Sequence, residues 1–417
     1  MQRSGLLAPE ACSAPFFDKS LTHPETEKGS LITLAMEIPT MRYSRRITAA
    51  LLPLLFATPT LTIAQSDPPA TPVIIHSKFG GQIFGFDIDQ NGTEGVLSEA
   101  LSQSNGNILA AVETFDQKTG KILNVLAKTQ TQDDFVTLGV TGTSVGLIEH
   151  EHVIKLLDVV RTFQVINPLS GNKITGKWTP PLGTTHLLEQ VSNTQGSTNI
   201  AVFAEDNSGK TFIPWVFSSN VAANTFGPIV KITDSLNFGS VPPPMAYNTV
   251  TNMAILGGGD GCFGCLPVIG VADLTAGTFT EFTGGGFGFV NGIAVDSADN
   301  IFVTTTEDDA SVEFYDLSTQ AVTAIVVLPN SGSQQFLSGG DVEFDATHKL
   351  FLVAQPHSST LKGSSIYIYD TKGNLQESLN GFSFLEGSGS HISFNPNTRT
   401  GFVYGPVGVN EIQEFTY

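Results

Sequence analysis

A unit of about fifty residues recurs along most of this chain, and it constrains the fold more than any other feature. The clearest copies have an apolar strand ending in Asp or Asn, a polar turn and a second apolar strand, as in residues 292–296 and 301–303, and the first three copies are weaker. The anchors that end the first strands are Asp89, Thr141, Asn193, Asn248, Asp296, Asp345 and Asn395, at intervals of 52, 52, 55, 48, 49 and 50 residues. Such even spacing predicts a single repeat domain.

Each repeat continues into a third and a fourth strand. The third strand ends in a turn such as 316–319, and a fourth strand such as 321–328 follows. Turns built from Asp, Asn and Gly suit antiparallel hairpins. Four strands repeated seven times predict an all-β fold, a seven-bladed β-propeller of four-stranded antiparallel blades. Two or three β-sandwich domains are the alternative, although no Pro-, Ser- or Gly-rich linker divides residues 72–417.

The two ends of the repeat region complement each other. The last repeat stops after its third strand, residues 411–417, and an unassigned apolar segment, residues 72–77, precedes the first repeat. We expect this N-terminal segment to fill the missing position of the last blade, so that the ring closes without a free sheet edge. The third repeat is irregular, because its apolar phase slips around residues 189–193, which favours a bulge or a misplaced anchor.

Residues 41–64 have the pattern of an export signal. Arg42, Arg45 and Arg46 precede an apolar stretch, and Ala64 ends a small-x-small cleavage motif. A transmembrane anchor is the alternative, but the stretch is short and interrupted by Thr and Pro. We therefore predict an upstream leader over 1–40, a secretory signal peptide over 41–64 and a mature propeller over 65–417. The predicted location is periplasmic or extracellular.

The charge balance excludes some partners. The full chain has a formal net charge of -19, and residues 65–417 hold 14 Lys and Arg against 34 Asp and Glu. A field of this sign repels phosphate backbones and anionic lipid headgroups. The sequence therefore predicts no nucleic-acid partner, no membrane insertion and a monomer.

One repeat resembles a known family. Residues 293–303 read Ile-Ala-Val-Asp-Ser-Ala-Asp-Asn-Ile-Phe-Val, similar to the recurring unit of the YVTN/NHL-like β-propellers of exported bacterial proteins. Thr304 stands where that family usually has Asn. The resemblance implies a propeller fold, and it leaves function open because such propellers include binding modules, lactonases and lyases.

Acidic and His residues are concentrated in segments predicted to share one face of the propeller. This face would carry the loops between second and third strands and the connections between blades. The candidate ligands for Ca²⁺ or another divalent cation are Glu149, His150, His152, Glu205, Asp206, Asp260, Glu307 and Asp308. On a strand, His150 and His152 would project to one side and could chelate Zn²⁺ or Cu²⁺. The alternative is a solvated acidic surface, with residues 149–152 in an exposed loop.

Three further groups of residues are candidates for chemistry or binding. Asn291, Asp341 and His391 open consecutive inner strands and could form a catalytic set, or simply a polar channel lining. Cys262 and Cys265 favour a structural disulfide. Leu266 stands where haem attachment would need His, and a zinc site would need a second Cys pair. A redox thiol would need a following helix to lower its pKa, and the sequence predicts none there. An apolar binding patch is predicted at Phe263, Phe287 and Phe289.

The sequence contains no G-x-S-x-G, P-loop or H-E-x-x-H motif. We therefore expect a binding or scaffold module that uses its acidic loop face for a protein, carbohydrate or other small-molecule ligand. The alternative is an enzyme of lactonase or lyase type, with a divalent cation at the channel mouth.

Overall fold

The structure is a computed structural model, and its regular elements are β-strands in the parts of the chain that it describes. These parts are residues 73–88, 94–104, 108–131, 134–139, 145–155, 158–166, 173–176, 186–192, 199–206, 214–220, 225–232, 243–259, 266–286, 288–306, 311–328, 340–356, 364–382, 392–404 and 411–417.

The strands in these ranges form seven four-stranded antiparallel sheets, numbered here 1 to 7 along the chain. Sheet 1 contains β2 (Gln82–Ile88), β3 (Glu94–Ser102), β4 (Ile108–Asp116) and β5 (Ile122–Thr131). Sheet 2 contains β6 (Asp134–Gly139), β7 (Val145–Lys155), β8 (Asp158–Ile166) and β9 (Lys173–Gly176). Sheet 3 contains β10 (His186–Ser192), β11 (Asn199–Asp206), β12 (Pro214–Asn220) and β13 (Thr225–Lys231). Sheet 4 contains β14 (Met245–Asn248), β15 (Met253–Gly259), β16 (Pro267–Asp273) and β17 (Thr278–Thr283).

Sheets 5 to 7 complete the described fold. Sheet 5 contains β18 (Val290–Asp296), β19 (Ile301–Thr306), β20 (Ser311–Asp316) and β21 (Ala321–Val327). Sheet 6 contains β22 (Val342–Asp345), β23 (Leu350–Gln355), β24 (Ser364–Asp370) and β25 (Leu375–Phe382). Sheet 7 contains β26 (Ile392–Asn395), β27 (Thr400–Tyr404), β28 (Glu411–Thr416) and β1 (Val73–Ile74).

Sheet 7 joins the two ends of the repeat region. β1 pairs antiparallel with β28, with Val73 opposite Ile412 and Ile74 opposite Glu411. The chain then passes next to sheet 1, where the His76 amide donates to the Gly120 carbonyl at 3.0 Å. The N-terminal segment therefore occupies the position that the missing fourth strand of the last repeat left open.

The first strands of successive sheets lie next to one another. β2 contacts β6, β6 contacts β10, and the series continues through β14, β18, β22 and β26. β26 in turn contacts β2, so the series returns to the sheet where it began. The third repeat also has its predicted irregularity, because the register of β10 and β11 shifts between Leu188 and Gln190.

The hydrophobic core lies between the faces of neighbouring sheets. Between sheets 5 and 6, the ring of Phe314 meets that of Phe351 edge-on, with centroids 5.7 Å apart. Between sheets 4 and 5, Phe302 stacks on Tyr315 at 4.6 Å within a cluster that includes Ile255. Each fully buried aromatic or aliphatic side chain contributes about 1.5–3 kcal/mol to folding. Because a sheet packs against a neighbour on each of its two faces, the second and third strands of sheets 4 to 6 are buried along almost their whole length.

The Asp and Asn anchors of the repeat form the turns between first and second strands. A side-chain oxygen at each anchor accepts hydrogen bonds from the backbone N–H groups two and three residues later, at 2.8–3.4 Å, at Asn248, Asp296, Asp345 and Asn395. The residue four positions after each anchor has left-handed backbone, with φ of 54–58°, at Asn252, Asn300, Lys349 and Arg399. This geometry explains why Asp or Asn recurs there. The anchors Asp89, Thr141 and Asn193 lie outside the described residues.

Candidate functional site

The first strand of each sheet begins at the end where the second strand finishes, because the two are antiparallel. We call this end the connection face; its described lead-in segments are residues 78–81, 243–244, 284–286, 288–289 and 340–341. The opposite end carries the Asp and Asn turns and is called the turn face. Loops on a rigid scaffold are the usual location of binding residues, so the connection face is the candidate site.

The predicted acidic and His ligands that are described belong to strands, which corrects their assignment to loops. Glu149, His150 and His152 lie within β7, where Glu149 is opposite Phe135 and Phe163. Glu205 and Asp206 are the last residues of β11, paired with the beginning of β10 at the connection face. Residues 149–152 lie inside β7 instead of in the expected loop, because β7 stays paired with β8 as far as Lys155.

Several predicted residues lie outside the described residues, and their roles stay predictions. They are Asp260, Cys262, Phe263, Cys265, Phe287, Glu307, Asp308 and His391. Within the described ranges, no three His, Cys, Asp or Glu side chains form a group that could hold a metal ion. No helix in the same ranges has the length and apolarity needed to cross a membrane.

The structure brings together the strand starts that carry two of the three catalytic candidates, and it gives one of the two a structural contact. A Cβ placed on Gly292, the residue after Asn291, would lie 3.0 Å from the Cα of Asp341, so the beginning of β18 is close to the residue that leads into β22. The Oδ1 of Asp341 accepts from the Val342 amide at 3.0 Å, and its Oδ2 accepts from the Ile392 amide at 2.9 Å. The carboxylate therefore fastens the start of β22 to the start of β26.

Phe289 is the one described member of the predicted apolar patch. It is half-buried, and its Cδ1 lies 3.0 Å from the position that a Cβ on Gly259 would take. The end of β15 therefore covers part of the ring, and Phe289 offers a smaller apolar surface than the sequence suggested.

Buried glutamates beneath the connection face are the feature that the sequence analysis missed. Glu113 on β4 and Glu313 on β20 are both fully buried, and each stands three residues before the Asp that ends its strand. The two residues are thus equivalent positions of sheets 1 and 5. In both sheets the carboxylate accepts hydrogen bonds from the segment that leads into the first strand.

In sheet 5 the lead-in segment is held by Glu313 and Tyr315. The Gly285 amide donates to the Oε2 of Glu313 at 3.1 Å and also approaches the Tyr315 hydroxyl at 3.2 Å. The Tyr315 hydroxyl donates to the same carboxylate oxygen, and Ser311 donates to the Oε1 at 3.4 Å. Burial, reinforced by the charge of Glu313, raises the pKa of Tyr315, so its hydroxyl remains a donor.

The position of Gly286, next to the Glu313 carboxylate, leaves no room for a side chain. A Cβ on Gly286 would lie 2.6 Å from the Oε1 of Glu313 and 2.8 Å from the Oγ1 of Thr306. The backbone can approach the buried acid this closely only without a side chain. Packing against Glu313 therefore explains the glycines at 285 and 286.

In sheet 1 two glutamates, Glu99 and Glu113, hold the lead-in segment. The Gly81 amide donates to the Oε2 of Glu99 at 2.8 Å, the Phe79 amide to its Oε1 at 3.3 Å, and the Lys78 amide to the Oε2 of Glu113 at 3.2 Å. Burial raises the pKa of Glu113 to about 7, and the charge of Glu99 adds to this effect while the Lys78 amide opposes it. The Oε1 of Glu113 has no hydrogen-bond partner from a backbone amide. With this raised pKa, Glu113 is protonated below about pH 7.

The turn face is linked from sheet to sheet by polar side chains. The Asn248 side-chain amide donates to the Oδ1 of Asn300 at 3.0 Å, joining sheets 4 and 5. Lys349 of sheet 6 donates to both oxygens of buried Asp296 in sheet 5 at 2.9 Å. The Tyr417 hydroxyl donates to Asp345 at 2.8 Å, joining sheets 7 and 6. These contacts involve the Asx-turn positions that recur between the repeats, so this end stabilises the fold.

Comparison with solved structures supports the architecture. The structure of U3-55K superposes with a TM-score of 0.54 at 11% identity, covering 84% of this chain and 100% of that chain. The WD40 repeats of RRP9 superpose with a TM-score of 0.54 at 12% identity, covering 84% of this chain and 98% of that chain. No protein-family model and no curated protein sequence matches. At this level of identity the likeness shows the fold, a β-propeller built from repeats.

Proposed function

We propose that this protein is an exported seven-bladed β-propeller that binds a protein partner through its connection face. In this proposal the seven described sheets are the blades of one ring, closed where β1 pairs with β28 and where β26 contacts β2. The YVTN/NHL-like repeat pattern and the export signal are parts of the same proposal. The two WD40 propellers support the interaction role by analogy of fold.

The observation that carries the proposal is the anchoring of the connection face. The lead-in segments of sheets 1 and 5 are fixed to the frame by Glu99, Glu113 and Glu313, all fully buried. Asp341 fixes the start of sheet 7 to that of sheet 6 in the same way. Segments held in one conformation lose little entropy when a partner binds, which favours recognition. The buried acids therefore support binding, and they are too enclosed to act on a substrate.

The partner should carry a basic or neutral surface. The chain has a formal net charge of -19, and the sequence predicts acidic residues in the loops of the connection face. Charge of this sign speeds the approach of a cationic partner and slows that of an anionic one. Binding should therefore weaken as salt concentration rises.

Site-specific photocrosslinking tests the proposal. A photoreactive residue at Asn291, exposed at the connection face, should capture a partner protein in the cells that make this chain. The matched control is Val250, which is 71% exposed in a turn of the turn face. Capture from position 291, absent at 250 and reduced by added salt, supports the proposal. Equal capture from both positions, or none from either, contradicts it.

An enzyme of lactonase or lyase type is the second candidate. The neighbouring positions of Asn291 and Asp341 favour it, since both begin inner strands of adjacent sheets. It requires a divalent cation such as Ca²⁺, and a bound cation would raise the melting temperature by mass action. A melting temperature that does not change on chelation, with no metal by elemental analysis, would remove this candidate.

A further inference from the structure

Residues 78–81, which lead into sheet 1, form a short arch on the connection face. Lys78 and Gly80 are exposed, and Gly80 has left-handed backbone with φ of 74° and open space around the position of a Cβ. On either side of the arch, Ile75 and Ile83 are buried in the cluster between sheets 7 and 1. The arch is therefore an exposed segment between two fixed points.

Three backbone amides of the arch donate to two buried carboxyl groups beneath it. Glu99 accepts one amide on each oxygen, whereas Glu113 accepts the Lys78 amide on its Oε2. The Oε1 of Glu113 has no hydrogen-bond partner among the described residues. Leu97 is opposite Glu113, so Glu99, two residues further along β3, lies on the same face of the sheet. Two buried neighbouring carboxylates with too few donors are costly to ionise together, so the closed arch favours a proton on Glu113.

Sheet 5 has the equivalent arrangement without a second acid. Glu313 corresponds to Glu113, and Thr304 is opposite it, so the position of Glu99 is taken by Thr306. Both oxygens of Glu313 accept hydrogen bonds. Of these two sheets, only sheet 1 therefore combines a second buried acid with an unpartnered carboxyl oxygen.

The charged groups that act on Glu113 belong to sheet 1 and the arch. The charge of Glu99 raises the pKa of Glu113, and the amide and charge of Lys78 lower it. On β5, the uncharged Val125 is opposite Glu113, and the ammonium of Lys128 lies over the aromatic ring of the arch, 4.5 Å from its centroid.

Sheet 7 packs against the same face without adding a charge near Glu113. It contributes two apolar residues and one titratable residue to the cluster, namely Phe402, Ile412 and Tyr404. Burial raises the pKa of Tyr404 to about 12, so its hydroxyl stays neutral between pH 5 and pH 8. The proton on Glu113 is therefore the charge that changes beneath the arch in this range.

We propose that the arch is a pH-sensitive latch, held closed while Glu113 is protonated and opening more readily once Glu99 and Glu113 are both ionised. Opening lets water reach the two carboxylates, while Ile75 and Ile83 stay buried and the strands of sheet 1 stay paired. The surface that sheet 1 contributes to the connection face then depends on pH. The latch does not rest on the proposed binding function, because its opening can be measured on the protein alone.

Hydrogen exchange of the Gly81 amide measures the opening. Glu113 has a pKa of about 7 beneath the closed arch, against an ordinary value of 4.5 when hydrated, so at pH values between these two the arch releases a proton as it opens. The protection factor of Gly81, its exchange rate relative to that of an unstructured peptide at the same pH, should fall about 70-fold between pH 5 and pH 8 and then level off. The matched control is Gly340, which leads into sheet 6 and donates to the Ala354 carbonyl at 2.8 Å. This acceptor does not ionise, so the protection of Gly340 should not follow the same profile.

Glu113→Gln assigns the change to one residue. The variant removes the proton equilibrium, so the protection of Gly81 should no longer depend on pH. His76, an exposed histidine close to the arch, is unchanged in the variant, so a flat profile identifies Glu113 as the group responsible. If Gly81 and Gly340 lose protection equally in the wild type, the whole fold weakens together and the latch is wrong. A wild-type Gly81 whose protection stays constant overturns the proposal as well, and both wild-type results decide it even if Glu113→Gln fails to fold.

Discussion

Replacing Glu113 with Gln should make the protein more stable at alkaline pH and leave it nearly unchanged at acidic pH. Burial raises the pKa of Glu113 to about 7 from an ordinary value of 4.5. Below the ordinary value, Glu113 is protonated in both the folded and the unfolded chain. As the pH rises towards 7, the unfolded chain releases the proton first, so the free energy of unfolding falls.

The size of this loss follows from the two pKa values. A raised pKa of about 7 against 4.5 corresponds to about 3 kcal/mol, which is lost between about pH 4.5 and pH 7. Glu113→Gln cannot ionise. Its side-chain carbonyl can accept from the Lys78 amide, and its NH₂ can donate to Glu99, as the protonated acid does.

Urea unfolding followed by tryptophan fluorescence gives the test. The difference between Glu113→Gln and wild type should be close to zero near pH 4.5 and about 3 kcal/mol in favour of the variant near pH 8. The control Glu94→Gln changes an exposed glutamate on β3, and its effect on the free energy of unfolding should be small at both pH values. If Glu113→Gln is less stable than wild type near pH 8, the fold does not raise the pKa of Glu113 and the reasoning is refuted.

Two further substitutions test the frame at each face. Lys349→Met leaves the buried carboxylate of Asp296 without its cation. Because Lys349 is 41% exposed, we expect the free energy of unfolding in urea to fall by only about 1–2 kcal/mol. The loss should still be larger than that for Lys372→Met, which removes an exposed lysine. Gly286→Ala places a Cβ 2.6 Å from Glu313 and should cost about 1–3 kcal/mol, together with weaker protection of the Gly285 amide from hydrogen exchange.

Either substitution can contradict the account. If Lys349→Met and Lys372→Met have the same effect, the contact between Lys349 and Asp296 does not stabilise the fold. If Gly286→Ala is as stable as wild type, the lead-in segment of sheet 5 does not lie against Glu313 as described. The two results are independent, because the substitutions lie at opposite ends of the sheets.

The sequence predicts the parts of this fold that depend on local chemistry. Asp296 and Asn395 stand out because an Asx turn needs an acceptor at that position in each repeat. The pairing of β1 with β28 follows from a repeat that is one strand short. The irregularity at residues 188–190 also has a local signal, since the apolar alternation slips there.

The sequence does not predict the buried glutamates. A glutamate within a strand normally indicates a solvated face, and the backbone amide that Glu313 binds, that of Gly285, lies 28 residues away in the sequence. The signal that could reveal them is a pair of features: Glu three residues before the turn Asp, and a Gly-rich segment before the first strand. Recognising that these two features meet requires the three-dimensional fold.

Closure of the ring through β1 is the central claim, and an engineered disulfide tests it most directly. Val73 and Ile412 are paired across β1 and β28, so Val73→Cys combined with Ile412→Cys should form an intramolecular disulfide on oxidation. By closing most of the chain into a loop, this bond should raise the melting temperature above that of the reduced double variant. If mass spectrometry finds the two thiols free, or linked only between molecules, β1 does not complete the last sheet and the closed ring is wrong.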